Sequence, residues 1–87
     1  MEKSFIDLLE REKICVGCVN RAEGNIEMWR VEMVRLQNTY RQSEYRDADI
    51  AKLATLIGAE AETAESARQA LADVRGEMRE YLTEVLK

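Results

Sequence analysis

The octapeptide Gln42-Ser43-Glu44-Tyr45-Arg46-Asp47-Ala48-Asp49 separates two otherwise regular apolar patterns. Upstream, alternate steps of three and four residues from Phe5 pass through Leu8, Glu12, Cys15, Val19, Ala22, Ile26, Trp29, Met33, Leu36 and Tyr40, all apolar except Glu12. That 3.5-residue alternation is the seam of a helix packed lengthwise against another. The next two steps land on Ser43 and Asp47, both polar, so the seam stops. It resumes at Ile50 and continues through Leu53, Ile57, Glu60, Ala64, Ala67, Leu71, Val74, Met78, Tyr81 and Val85. Two amphipathic helices of nearly equal length, roughly residues 4–42 and 47–86, with a polar turn near 42–48, describe an antiparallel helical hairpin. The fold class is all-α, and residues 1–87 read as a single helical domain.

Helix signals agree with this division. Ser4 precedes the first apolar run, with Asp7 three residues on, which predicts an N-cap at Ser4. Asp47 or Ser43 is the expected cap of the second helix, with Asp49 in its first turn complementing the helix dipole. Gly17 and Gly24 mark the one place where the first helix could break. A glycine inside a helix costs only about 1 kcal/mol relative to alanine, and Cys15, Val19, Ala22 and Ile26 hold the seam's phase across both. One long helix is therefore favoured over a three-helix fold broken near 17–25.

A turn centred near residue 45 sets an expected register. Tyr40 would face Ile50, Leu36 would face Ala54, Met33 would face Ile57, Trp29 would face Ala61 and Phe5 would face Val85. Likewise Ala22 would face Arg68, Cys15 would face Arg75 and Glu12 would face Met78. Ala51, Ala54, Gly58 and Ala61 form a strip of small residues that suits a large partner, which puts Trp29 in the core. The predicted core and dimer seam comprises Phe5, Leu8, Ile26, Trp29, Met33, Leu36, Tyr40, Ile50, Leu53, Ile57, Leu71 and Met78. Further apolar residues, among them Ile6, Leu9, Val16, Met28, Val31, Val34, Leu56, Leu82 and Leu86, lie beside the seams. A single helix pair cannot cover faces that wide, so a second layer is expected. Two hairpins forming a four-helix bundle, as a homodimer, are the simplest closed solution.

Composition narrows the chemistry. The 87 residues include no histidine and no proline, so a His-based triad and a His-ligated metal are excluded. The net charge of −4 falls entirely in residues 44–87, and no basic stripe exists to hold phosphates, so direct nucleic-acid binding is not expected. Charges at Asp7, Glu10 and Arg11 interrupt the N-terminal apolar run, so no signal peptide is read, and no stretch approaches the ~20 uncharged residues of a membrane span. A cytoplasmic location follows as an expectation.

Cys15-Val16-Gly17-Cys18 is the one recognisable motif. A redox CxxC opens a helix after a strand, and here the pair sits within a helical pattern. As a zinc site it supplies two of four thiolates, so a four-thiolate centre needs two copies of Cys15 and Cys18 brought together. Small apolar thiols packed in and beside the seam are the simpler assignment, with no metal and no cofactor. Glu12, Glu60, Arg68 and Arg75 occupy or flank seam positions, where polar residues commonly fix register. No catalytic set is visible, which predicts a non-enzyme.

Met28, Val31 and Arg35 on the first helix, with Tyr45 at the turn, are the candidate contacts for a protein partner. The expected role is a small protein–protein interaction module: an adaptor, a chaperone-like partner or an inhibitor. A short, acidic, cofactor-free chain also suits a phage or mobile-element gene product. The alternatives are a zinc-bridged dimerisation module and an acidic mimic that blocks a nucleic-acid-binding protein.

Overall fold

In a computed structural model, which describes residues 4–39 and 44–86, the chain forms two antiparallel helices. Helix α1 spans Phe5–Thr39 and helix α2 spans Glu44–Val85. At 1.5 Å per residue they are about 52 and 63 Å long, and the molecule is a rod of 66 × 17 × 15 Å.

Ser4 caps α1 as expected: its Oγ accepts a hydrogen bond from the Asp7 backbone N–H at 3.2 Å, satisfying one of the orphan donors of the first turn. Gly17 and Gly24 lie within α1 with no positive φ, so the alternative fold broken near 17–25 is not formed. Helix α2 begins earlier than the sequence suggests. Residues 44–48 are helical, so Asp47 lies inside the first turn beside Arg46 (3.2 Å) instead of at the N-cap. Ser43, the other expected cap, and Tyr40 lie outside the described residues.

The register departs from the expected one mainly toward the N-terminal end of α1: Glu23 with Arg68 lies close to it, whereas around Phe5 and Glu12 the facing positions on α2 move by about one turn. Phe5 stacks on Tyr81, with ring centroids 5.4 Å apart, instead of meeting Val85. Glu12 pairs with Arg75 at 3.2 Å instead of meeting Met78. Ala22 joins Ile26 and Ala64 in the main buried cluster, with Ile57 packed on it, and Arg68, the residue expected opposite Ala22, pairs with neighbouring Glu23. The small strip Ala51, Ala54, Gly58 and Ala61 is exposed, and Trp29 is only half-buried instead of filling a core socket.

The core is narrow. Leu8, Ala22, Ile26, Leu36, Ala64 and Val74 are buried; Phe5, Met33, Ile50, Leu53, Ile57, Leu71 and Met78 are half-buried along the same line. Ion pairs flank it. Arg11 reaches Glu77 (2.7 Å), Glu12 reaches Arg75 (3.2 Å) and Glu23 reaches Arg68 (2.9 Å). Neighbouring Arg11 and Glu12 thus hold charges of opposite sign on α2, which opposes slippage of the helices. Such partly exposed pairs each add about 0–1 kcal/mol, so their contribution is mainly to register.

Candidate protein-interaction face

Helix α1 keeps its seam against α2 and turns a second stripe away from it. Ile6, Ile14, Met28, Val31 and Val34 lie on that outward stripe, and each is between 54% and 67% exposed. Among the described residues, these are the only large apolar side chains of α1 more than half exposed, and all five share one face. The corresponding face of α2 differs. It presents small and polar residues, including Lys52, Gly58, Ala59, Glu62, Ser66, Asp73 and Glu80, all exposed. Among the described residues, large apolar side chains more than half exposed on this side of the hairpin are confined to the ends: Tyr45 in the first turn of α2, Val85 in its last and Leu86 just beyond it. The sequence expectation of wide apolar faces on both helices therefore holds for α1 far better than for α2.

Gly17 and Gly24 occupy the centre of this stripe, one heptad apart, and both are exposed. A Cβ added at either would meet nothing within 4 Å. The hairpin itself therefore gives no steric reason for glycine there, although each costs about 1 kcal/mol of helix propensity. A shallow groove opens over Gly17, lined by Glu10, Lys13, Ile14, Cys18 and Arg21.

Three of the four predicted contact residues, Met28, Val31 and Arg35, fall on the outward face of α1, and the fourth, Tyr45, is exposed at the start of α2. Ile6, Val34 and especially Ile14 belong with them. Their signal was present in the sequence: they lie on the side of the helix opposite the seam, spaced by multiples of three and four residues. No family model, curated protein or solved structure matches the chain.

The thiols are separated by environment. Cys15 is half-buried in the seam, whereas Cys18 is exposed at the groove, not packed away as the sequence reading expected. Both are free, and among the described residues no group of three or more His, Cys, Asp or Glu is placed to hold a metal ion. Cys18 should therefore react with a maleimide faster than Cys15 in the folded protein. Mass mapping after brief labelling measures this directly; equal rates at the two sites would contradict the placement. No helix among the described residues is long and apolar enough to cross a membrane.

Electrostatics on this face are local. Arg35 forms a charge-assisted pair with Glu32 one turn before it, its Nε 3.1 Å from the carboxylate. Hydrogen bonding from Arg35 holds the Glu32 carboxyl below its ordinary value. A depressed carboxylate supports the fold above its unfolded value and loses that support as pH falls through the folded one. An NMR titration should accordingly show the Glu32 midpoint rising in Arg35→Gln; an unmoved midpoint would break the assignment. Across the hairpin, hydrogen bonding to Glu23 raises the Arg68 value above its ordinary one.

Proposed function

We propose that this chain is a small, non-enzymatic protein–protein interaction module, of adaptor, chaperone-like or inhibitor type, that binds through the outward face of α1. The observation that carries the reading is the gathering of Ile6, Ile14, Met28, Val31 and Val34 on one exposed face of one helix. Scattered exposed apolar residues are ordinary, but five large ones on one face of one helix, interleaved with charges such as Lys13 and Glu27, suit a docking surface. Met28 adds an adaptable contact and Arg35 a directional one.

The test compares wild type with Met28→Glu/Val31→Glu as immobilised baits in extract of the native source. Both positions are exposed, so the variant should keep its helix content. The reading expects a protein, a second copy of the chain included, retained by wild type and lost by the variant. Identical retention by both baits, or retention by neither, would sink it.

A further inference from the structure

The outward face of α1 is complementary to itself in one register. We infer that it docks antiparallel against the same face of a second copy of this chain, about a two-fold axis passing between Asn20 and Arg21. This rests on the interaction-module reading and deepens it by naming the partner and the alignment.

Setting Gly17 opposite Gly24 of the second copy fixes the other pairs along the stripe. On one side of the glycines, Ile6 meets Val34, Lys13 meets Glu27 and Asn20 meets its own counterpart. On the other, Asp7 meets Arg35 and Ile14 meets Met28. All of these residues are exposed on the hairpin. Two-fold symmetry repeats each unlike pair, giving four apolar contacts and four between opposite charges. Arg35, which holds Glu32 within its own helix, extends that pair to a second carboxylate. Arg21 against its own counterpart and Glu10 against Val31 are the pairs that contribute no attraction.

Other alignments lose this match. Sliding seven residues one way sets Lys13 against Val34 and Ile14 against Arg35. Sliding the other way sets Ile6 against Glu27 and Asp7 against Met28. A parallel two-fold pairing sets one flank of the stripe against the other, placing Lys13 beside Ile14, Glu27 beside Met28 and Val34 beside Arg35. Only the alignment centred on the glycines joins apolar to apolar and acid to base, and there the missing side chains let two backbones approach closely.

The rod exposes more surface than a compact fold of its size. A globular monomer of 10.0 kDa exposes about 5,200 Å² by the usual size scaling, whereas this rod exposes 6824 Å². The excess of about 1,600 Å² is roughly twice what one partner contributes to a standard interface. The assembly would have four helices in the order α2, α1, α1, α2, a layer instead of a bundle around one shared core. The Cys18 residues of the two copies would be offset by about 7.5 Å along the axis, an arrangement that does not require zinc.

The test is a charge swap read by sedimentation equilibrium. Lys13→Glu alone and Glu27→Lys alone each place two like-charge pairs in the homodimer and should weaken it about tenfold or more. An equal mixture of the two variants restores both opposite-charge pairs and should recover wild-type association, as should the double variant in one chain. Gly17→Ala with Gly24→Ala should raise the melting temperature of the monomer while weakening the dimer, because the added Cβ atoms fit the hairpin but not the interface. A dimer indifferent to the swaps, or singles that fail to rescue each other on mixing, overturns this alignment. A chain still monomeric at millimolar concentration overturns the second copy as partner. Either result leaves the bait comparison, which reads any protein partner, to decide the broader reading independently.

Discussion

Val74→Asp is expected to unfold the hairpin. Val74 is only 2% exposed, and the described core holds no buried polar or charged group to receive a carboxylate. The substitution removes apolar burial and places an ionisable group where water is excluded, a combination worth about 4 kcal/mol or more. With six buried hydrophobic residues described in the core, there is little reserve against such a loss. Far-UV circular dichroism and a thermal melt provide the measurement. Val74→Ala, which keeps the site apolar, should cost about 2 kcal/mol and remain folded. A Val74→Asp protein melting near wild type would show that this part of the helix pair is open to solvent.

Ile26→Ala is the second large effect. Ile26 packs with Ala22 and Ala64 at the main buried cluster, and Ile57 leans on it. The two alanines bring the helices close but have no atoms with which to fill a vacated space. The cavity left by Ile26 should therefore collapse poorly, placing the loss at about 3 kcal/mol or above within the usual span for such truncations. Urea denaturation should show a lowered midpoint with an unchanged slope. A loss below about 1 kcal/mol would mean that the helices close over the gap, and that the alanine spacing does not set their separation.

The two helices and their antiparallel order were legible because the seam repeats every 3.5 residues over both, and Ser4 announced where the first begins. The register was not. It depends on where α2 starts, and Glu44, Tyr45 and Arg46 are as compatible with a polar turn as with a first helical turn. Toward the N-terminal end of α1, Phe5 meets Tyr81 instead of Val85 and Glu12 meets Arg75 instead of Met78. The strip Ala51, Ala54, Gly58 and Ala61 was misplaced for a related reason. Alanine and glycine carry little amphipathic signal, so their spacing fits an exposed surface as readily as a socket for Trp29.

The candidate face was half legible. Met28, Val31 and Arg35 stood out by residue type, but Ile14 was masked by its place beside the cysteines, and Gly17 and Gly24 read as candidate helix breaks. Only the folded hairpin shows that both glycines sit in open space on the side away from α2. Their position converts a propensity defect into an argument about what approaches that side.

The most direct measurement is the absolute solution mass by light scattering for wild type, Met28→Glu/Val31→Glu on α1, and Leu56→Glu on α2. Self-docking through α1 predicts a wild-type mass near twice the 10.0 kDa chain, a fall to the single-chain mass in the α1 variant, and no change in the α2 variant. A single-chain mass for wild type at all accessible concentrations, or a dimer disrupted by Leu56→Glu and untouched by the α1 substitutions, would contradict it.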